Sequence, residues 1–386
     1  MSRIAIDYTP AYEQGGGIGR YVRELTAALA TEDPVTDYRL FVAGAQREQL
    51  PHPPRPNFDW RTTILTPRWL ARIWQRAQLP LPVEIITGPV DLFHATDFVL
   101  PPTLPRTRSL LTVHDLSFLR VPDAASPSLR RYLEAVAPRS VERADHVLAD
   151  SQATKDDLIE IYRTPADKIS VLYSGVDARF GPVTDQMTLK AVLDKHNLRD
   201  KKYVLSVGTV QPRKNYSGAI RALSRIRDHG IDLHYVVAGG PGWLEDEMYR
   251  SIRETAMEDR VHILGFVPDE DLPALYSGAR ALLAVSLYEG FGLPVLEAMA
   301  CGTPVITSNL SSLPEVAGDA GILVNPLDSE AISDAIMKTL TDAALRQQLV
   351  AAGFERVKRF SWASAASQLK AIYDAMLDGS SNTIIR

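Results

Sequence analysis

Two carboxylates stand eight positions apart in the stretch EGFGLPVLEAMACGTPVI, which begins at Glu289. The second is Glu297, and every residue between them is apolar or glycine. Charged groups in such a run are costly unless they have partners. A favourable interaction with a helix dipole would account for Glu297 but leaves Glu289 unexplained. Carboxylates that accept hydrogen bonds from sugar hydroxyls would account for both.

The residues between the two carboxylates point to a phosphate. The apolar run ARALLAVS predicts a buried strand over 279–286, and Pro294 suits the first position of a helix over about 294–301. We therefore expect free backbone amides at a helix N-terminus, where an anion is stabilised. The residues that supply these amides are Phe291, Gly292 and Leu293.

A basic pair follows another predicted strand, in the stretch SVGTVQPRKN. Arg213 and Lys214 precede a predicted helix, so two cations and loop amides meet at the carboxyl end of the strand. This combination favours a diphosphate site. The alternative is a basic loop exposed to solvent.

Two histidines are candidates for proton transfer or for binding a substrate hydroxyl. His114 directly follows the apolar run LLTV, and His94 in DLFHATDF is predicted to follow its strand in the same way. An imidazole at such a position can donate to a hydroxyl or relay a proton. The alternative for both is a histidine whose nitrogens bind backbone carbonyls.

A glycine run lies between the first predicted strand and a helix that starts near residue 18. Gly16 and Gly17 belong to the stretch EQGGGIGRYV, in which bare backbone amides can approach a phosphate. A dinucleotide fingerprint fits poorly because Val22 stands where its third glycine belongs. A flexible loop is the remaining alternative.

These candidates all depend on a fold in which strands and helices alternate. That alternation predicts an α/β protein with two doubly wound, Rossmann-like domains of parallel strands facing across a cleft, joined near 180–200. The predicted domains are 1–185 and 186–360, followed by a C-terminal helix in 361–386. Strands are predicted at 3–7, 38–43, 91–95, 109–113, 146–150, 169–173, 201–208, 233–240, 261–265, 279–286, 303–308 and 321–325. Helices in the first half are predicted at 18–30, 128–143 and 151–162, the last capped by Ser151.

Composition narrows the class of protein. The 386 residues carry a net charge of −5, which argues against a nucleic-acid partner. The single cysteine, Cys301, excludes an intramolecular disulfide framework. No signal peptide or membrane span is recognisable, so a cytoplasmic protein is expected.

Asp269 and Asp271 in PDEDL have the Asp-x-Asp spacing of a metal-binding motif. An acidic helix N-terminus explains this pair better. The prediction is therefore that no metal is bound and that Arg213, Lys214 and helix N-termini carry the charge of a leaving group.

Taken together, these motifs and the stretch GFVPDEDLPALYSGA resemble the retaining glycosyltransferases of family 4, which have the GT-B fold. The resemblance covers nearly the whole chain, and it implies that the C-terminal helix in 361–386 crosses back to the first domain. It implies that Glu289 and His114 contact the transferred sugar, that Glu297 binds the nucleotide ribose and that Val267 lies beside the base. It further implies phosphate contacts from Gly16, Gly17, Arg213, Lys214, Phe291, Gly292 and Leu293. One departure is Thr209, where many members have an arginine, so diphosphate binding would depend more on Arg213.

The resemblance is strongest to bacterial mannosyltransferases of polysaccharide assembly. It implies transfer of a hexose, mannose favoured, from GDP-mannose to a glycan or lipid-linked acceptor. The nucleotide sugar is then a substrate, and no cofactor is expected. A UDP-sugar donor and a nucleotide-sugar epimerase remain alternatives. An oxidoreductase lacks its fingerprint, and a non-catalytic binding protein would not need both His114 and Glu289.

A basic, tryptophan-containing stretch occupies residues 66–82. Arg68, Arg72 and Arg76 recur every four positions and would share one face of a helix. Such a helix can lie in a membrane interface and bring the protein to a lipid-linked acceptor. The alternative is a surface helix that packs its aromatic residues on the first domain.

Overall fold

The computed structural model describes residues 2–379 and divides the chain into two compact units. The first unit comprises 2–116, 131–175 and 362–379. The second comprises 117–130 and 176–361. No helix in the described part of the chain is long and apolar enough to cross a membrane.

A seven-stranded parallel sheet forms the centre of the first unit, in the order β3-β2-β1-β4-β5-β6-β7. Its inner strands are nearly continuous apolar runs, as expected for strands covered on both faces. The strands are β1 (Arg3–Asp7), β2 (Asp37–Ala43), β3 (Phe58–Thr63), β4 (Leu92–Ala95), β5 (Arg108–Val113), β6 (His146–Ala149) and β7 (Ile169–Val171).

Helices connect these strands. Ser151 caps α7 by accepting a hydrogen bond from the amide of Thr154, as predicted. The helices are α1 (Thr9–Glu13), α2 (Gly17–Glu32), α3 (Pro67–Ala71), α4 (Glu84–Thr87), α5 (Ser117–Arg120), α6 (Pro127–Arg143) and α7 (Gln152–Tyr162). Short 3₁₀ turns lie at Arg47–Gln49, Pro122–Ala124 and Ala166–Lys168, and a π-helical turn lies at Arg72–Arg76. Of these elements, α5 and the turn at Pro122–Ala124 belong to the second unit.

The second unit contains a six-stranded parallel sheet in the order β10-β9-β8-β11-β12-β13. Neighbouring residues on β8 belong to different apolar cores: Leu205 packs into one and Val204 into the other. The sheet is therefore covered on both faces. Its strands are β8 (Tyr203–Val207), β9 (His234–Ala238), β10 (Val261–Gly265), β11 (Leu282–Ala284), β12 (Val305–Ser308) and β13 (Gly321–Val324).

The remaining helices follow the same alternation, and the last one, α16, packs against α2 in the first unit. They are α8 (Gln186–Lys195), α9 (Tyr216–Asp228), α10 (Asp246–Glu254), α11 (Leu272–Gly278), α12 (Leu293–Ala300), α13 (Leu313–Ala317), α14 (Ser329–Thr341), α15 (Ala343–Val357) and α16 (Trp362–Leu377). Short 3₁₀ turns lie at Pro212–Lys214 and Gly318–Ala320.

The structure confirms the α/β class and all twelve predicted strands, with small shifts at their ends. It adds β3, which the sequence analysis missed. This strand lies at the edge of its sheet and is only partly buried, so its apolar signal is weak. It also adds α8, which contains no fully buried residue and therefore has little apolar periodicity.

Candidate functional site

The predicted basic pair and the first glutamate of EGFGLPVLE meet in the second unit. Arg213 and Lys214 lie in the 3₁₀ turn after β8, and Glu289 lies in the loop after β11. These strands are neighbours in the sheet, so their carboxyl ends are adjacent. The amide of Leu287 donates to the carbonyl of Arg213 at 2.8 Å and joins the two loops.

Glu289 is a buried carboxylate with three side-chain partners. Its Oε2 lies 2.6 Å from Nη1 of Arg213, and its Oε1 lies 2.8 Å from Nζ of Lys214. Ser286 donates its hydroxyl to Oε1 at 2.6 Å. Burial by itself raises the pKa of Glu289, but the two cations outweigh it and hold the pKa at about 2. The carboxylate is therefore ionised and neutralises charge that a diphosphate would otherwise meet.

Backbone geometry explains why glycines flank this cluster. Gly208 has a φ of +142°, and a Cβ there would lie 2.9 Å from Cε of Lys214. Gly292 has a φ of +117° and occupies the N-cap position of α12. Both conformations favour glycine. The lysine side chain can therefore pass close to the backbone on its way to Glu289.

The N-terminus of α12 lies next to this cluster. Lys214, Glu289 and Gly292 line one cavity of about 20 Å³. Phe291 is buried against Phe360, with their ring centroids 5.9 Å apart, whereas Gly292 and Leu293 are half-buried. The first amides of a helix lack intrahelical acceptors. The predicted amides thus lie beside the two cations.

Glu297 is more deeply buried than Glu289, the other glutamate of the motif. It is 2% exposed, and Tyr276 donates its hydroxyl to Oε2 at 2.6 Å. The helix that carries it starts at Leu293, one residue before the predicted start, and Pro294 takes its second position. The position one turn into the helix is compatible with both the ribose and the dipole interpretation.

Val267 and the Asp-x-Asp pair follow β10. Val267 is buried, while the preceding Phe266 is 72% exposed. Asp269 pairs with Arg179, and Asp271 pairs with Lys195 and His196. Asp271 occupies the N-cap position of α11, but its side chain makes no capping bond. The predicted acidic helix N-terminus is therefore present at Asp271, although its carboxylate binds the side chains of Lys195 and His196 and not the first amides of α11.

His114 in the first unit has both ring nitrogens engaged. Nδ1 lies 2.7 Å from Oδ2 of Asp150, and Nε2 lies 2.8 Å from the carbonyl oxygen of Thr96. A carbonyl oxygen only accepts, so Nε2 donates its proton to Thr96. Burial raises the pKa of Asp150, and the interaction with His114 opposes that rise and favours a carboxylate that accepts from Nδ1. Burial lowers the pKa of His114, but Asp150 outweighs it and raises the pKa to about 9. His114 is therefore a buried imidazolium, and a contact from its ring nitrogens to a sugar would require rearrangement.

Asp150 was missed by the sequence analysis, which placed it at the end of a strand. It directly follows β6, just as His114 directly follows β5, and β5 and β6 are neighbours. The same rule that singled out His114 therefore applied to Asp150.

The expectation that His94 follows its strand is wrong. His94 lies within β4, 1% exposed, and its nitrogens bind the hydroxyls of Tyr373 and Thr112 at 2.7 and 2.8 Å. Burial lowers its pKa to about 3. It is a neutral histidine of the core.

The glycine run leads into α2, with Gly16 at the N-cap position and Gly17 as the first helical residue. Both are exposed, and a Cβ at either position would meet no atom within 4 Å. Gly19 is different, because a Cβ there would lie 2.0 Å from the carbonyl oxygen of Gln14. The steric demand for glycine is therefore at Gly19, which the sequence analysis did not single out.

Both halves of the chain match known families of glycosyltransferases. The family model "Glycosyltransferase Family 4" matches residues 15–180, and "Glycosyl transferases group 1" matches residues 191–356. The O-antigen chain mannosyltransferase B of Escherichia coli is 33% identical over 364 residues, which cover 91% of this chain and 94% of that protein. The serotype-specific mannosyltransferase WbdA of E. coli is 33% identical over 248 residues, but the match spans only 30% of its length.

Solved structures show the same fold. Sucrose-phosphate synthase from Thermosynechococcus elongatus superposes with a TM-score of 0.76 at 23% identity, covering 98% of this chain and 100% of that one. Anabaena HepE, crystallised with UDP and glucose, gives a TM-score of 0.74 at 20% identity over 97% of this chain and all of its own. Both likenesses concern the fold alone.

Proposed function

Because the chain belongs to glycosyltransferase family 4, the group 1 glycosyltransferases with the GT-B fold, we propose that it is a retaining hexosyltransferase of polysaccharide assembly. The hexose that we favour is mannose, transferred from GDP-mannose to a glycan or lipid-linked acceptor. The match to an O-antigen mannosyltransferase over nearly the full length of both chains supports the sugar and the pathway class. Transfer from a nucleotide sugar is supported by the cluster of Arg213, Lys214 and Glu289 beside α12, which combines cations for a diphosphate with an acceptor for sugar hydroxyls.

The donor site follows from the chemistry of a nucleoside diphosphate leaving group. Arg213 and Lys214 bind the diphosphate, together with the amides at the start of α12. Glu289 accepts hydrogen bonds from the hydroxyls of the transferred sugar. The remaining donor contacts are assigned as the family resemblance implies: Glu297 to the ribose, Val267 to the base, Gly16 and Gly17 to the phosphates, and His114 to the sugar.

The pairing of Glu289 with both cations gives this site a property that its sequence does not reveal. Glu289 offsets part of the positive charge that a diphosphate meets at Arg213 and Lys214. Both cations have further N–H donors, so they can bind the diphosphate while Glu289 accepts bonds from sugar hydroxyls. The same carboxylate thus links recognition of the phosphate to recognition of the sugar.

The proposed mechanism is front-face attack without a metal. The acceptor hydroxyl approaches on the side of the leaving group, whose phosphate oxygen takes the proton, and the new glycosidic bond keeps the configuration of the old one. Developing charge on the diphosphate is stabilised by Arg213, Lys214 and helix amides, which are already in place. The protein supplies orientation and charge rather than a covalent nucleophile.

Transfer assays with defined products test this function. GDP-mannose and UDP-sugars are incubated with a saccharide acceptor, and the anomeric configuration of the product is read by NMR. Transfer from GDP-mannose with retention is expected, and it should survive EDTA. Inversion, a requirement for added magnesium or manganese, or release of an epimerised sugar without acceptor would each contradict one part of the proposal.

Contact with the inner face of a membrane is proposed for residues 66–82. The predicted single helix is wrong beyond Ala71, because α3 passes into a π-helical turn at Arg72–Arg76. Arg68, Arg72 and Arg76 are nevertheless exposed. Apolar side chains are exposed beside them, with Ile64 at 77%, Trp69 at 53%, Leu79 at 47% and Leu81 at 46%.

Exposed apolar groups among arginines suit an anionic membrane interface, where each basic residue contributes about 1 kcal/mol. Co-sedimentation with anionic vesicles should therefore be salt-sensitive. A triple change of Arg68, Arg72 and Arg76 to Glu should abolish it. Failure of the wild type to bind at low salt would contradict the membrane contact and leave the transferase assignment intact.

A further inference from the structure

A cleft of about 590 Å³ in the first unit is lined by none of the residues assigned to the donor. One wall is Glu13, the last residue of α1, which follows β1. The other wall comes from α3, which follows β3. The cleft therefore lies at the carboxyl edge of the sheet, the edge at which open α/β sheets bind ligands. Its lining residues are Glu13, Thr66, Pro67, Arg68, Trp69 and Arg72.

Two guanidinium groups face this cleft without a hydrogen-bonding partner. Arg68 and Arg72 are exposed, and within the described range 2–379 neither guanidinium forms a hydrogen bond or a close ion pair. Arg68 does attract the carboxylate of Glu13 electrostatically and opposes the rise of its pKa on burial. Other arginines of this unit do find acceptors, as Arg61 does in Asp59. The planar fork of a guanidinium matches the oxygens of a phosphate. The cleft thus offers two such forks to an anion.

Trp69 lies between the two arginines in sequence and lines the same cleft. Its side chain is 53% exposed, and the guanidinium carbon of Arg72 lies 4.6 Å from its ring centroid. This cation–π contact holds the indole and the charge together. The face of an indole carries partial negative charge and attracts weakly positive C–H groups, such as those on one side of a pyranose.

Glu13 restricts the ligand further. Its carboxylate lines the cleft and would repel a ligand that is only anionic, such as inorganic phosphate. The same carboxylate accepts hydrogen bonds from hydroxyl groups. A neutral sugar would satisfy Glu13 and Trp69 but leave both arginines without an acceptor. A sugar that carries a phosphate satisfies all four side chains.

We propose that this cleft binds a phosphosugar, the saccharide–phosphate portion of the acceptor. The proposal rests on the proposed transferase function and narrows its acceptor to a phosphorylated saccharide. Arg68 and Arg72 bind the phosphate, Trp69 stacks on the sugar ring, and Glu13 binds its hydroxyls. The phosphate belongs either to a lipid-linked saccharide or to a water-soluble one.

Calorimetric titration of the full chain with a hexose 1-phosphate tests the site. Saturating GDP is present so that the donor site is occupied. The hexose 1-phosphate should bind, and a methyl hexoside or inorganic phosphate should each bind at least about tenfold more weakly. The double change Arg68→Gln and Arg72→Gln should weaken binding by at least about tenfold, and Trp69→Ala should weaken it as well.

Arg76→Gln is the matched control. It removes the same charge from the same segment but lies outside the cleft, so the affinity for the hexose 1-phosphate should stay at the wild-type value. Absence of binding when GDP is present would overturn the proposal. Equal losses from Arg76→Gln and from a single Arg68→Gln or Arg72→Gln change would overturn it too, because they would indicate diffuse attraction of the basic segment for anions and not a defined site.

Transfer assays separate this proposal from the proposed function. The double variant should raise the KM for a phosphorylated acceptor and leave the KM for a phosphate-free saccharide unchanged. Comparing a detergent-solubilised lipid diphosphate saccharide with the same saccharide phosphate identifies the source of the phosphate. Transfer that proceeds equally in wild type and variant with every acceptor would overturn the cleft while keeping the transferase. No transfer with any acceptor, despite hexose 1-phosphate binding, would refute the transferase alone.

Discussion

The carboxylate of Glu289 lies 2.6 Å from the guanidinium of Arg213, although 75 residues separate them in the chain. Lys214 approaches the other oxygen at 2.8 Å. The side chains of all three residues are 11–16% exposed, so their charges are only weakly screened by water. We therefore predict that Glu289 lowers the affinity for a bare diphosphate and favours binding of the sugar.

Glu289→Gln should separate these two effects. Loss of the charge frees Arg213 and Lys214 for a diphosphate, so affinity for bare GDP should rise about threefold to tenfold. Transfer should fall by about 100-fold or more, because the sugar loses an acceptor that matters during reaction. Calorimetry with GDP and initial-rate assays with GDP-mannose measure the two quantities.

Ser286→Ala is the control for this experiment. It removes the hydroxyl that donates to Glu289 but leaves the carboxylate charge in place. Its affinity for GDP should stay close to that of the wild type. Equal losses of GDP affinity and of turnover in Glu289→Gln would indicate a structural role and contradict the proposal that Glu289 offsets the charge of the two cations.

The buried pair of His114 and Asp150 predicts a pH dependence. The folded-state pKa of His114 is about 9, above its ordinary value of 6.5. The pair's contribution to stability is thus fully present below pH 6.5 and is lost as pH rises through about 9. The shift of the His114 pKa from 6.5 to about 9 corresponds to a loss of at most about 3 kcal/mol in the free energy of unfolding. Urea unfolding between pH 6 and 9.5 measures it.

NMR titration of the histidine side chains tests the same pair directly. One imidazole should titrate near pH 9, and the His114→Gln variant should lack that signal. Asp150→Asn should lower the pKa of His114, because burial then acts without its counter-charge. A wild-type His114 that titrates near pH 6.5, or an unchanged titration in Asp150→Asn, would contradict the assignment of a buried imidazolium.

Glu297 should recognise the ribose, and a thermodynamic cycle can isolate that contact. We expect Glu297→Gln to weaken GDP binding by about tenfold. The 2′-deoxy and 3′-deoxy analogues of GDP identify the hydroxyl that Glu297 binds. For one analogue, the loss of affinity relative to GDP should be much smaller in the variant than in the wild type. Coupling of this kind appears only between groups that interact. Full additivity with both analogues, measured by calorimetry, would favour the interaction with the helix dipole.

The parts of the site that sequence analysis predicts are those that depend on the ends of parallel strands. Arg213, Lys214 and Glu289 each follow a buried strand, so their common edge of the sheet was predictable. Their direct contact was not, because it depends on a 3₁₀ turn and on the Leu287–Arg213 backbone bond.

The errors have equally local causes. His94 is predicted to act from the end of its strand, but both the predicted strand 91–95 and β4 contain it, and a side chain inside this inner strand is buried in the core. The helix at 66–82 was extended past Ala71 because an arginine at every fourth position suits an α-helix. The chain instead forms a π-helical turn there, which periodicity alone does not reveal.

The glycine loop permits a test that separates fold from function. Gly17→Ala places a methyl group in open space, and Gly17 is the first residue of α2. The free energy of unfolding should therefore stay within about 1 kcal/mol of the wild type. If a donor phosphate approaches this backbone, the methyl group should still lower transfer. Gly19→Ala should instead destabilise the first unit by about 1–3 kcal/mol, because its Cβ would lie 2.0 Å from the carbonyl oxygen of Gln14.

Thermal unfolding and initial-rate assays on both variants measure these differences. The informative result is a Gly17→Ala protein with wild-type stability and a raised KM for the donor, alongside a Gly19→Ala protein with lowered stability. A Gly17→Ala protein with unchanged donor kinetics would remove Gly17 from the phosphate site and leave the glycine run as the entry to α2. That outcome would place the whole binding energy for the diphosphate on Arg213, Lys214 and the amides of α12.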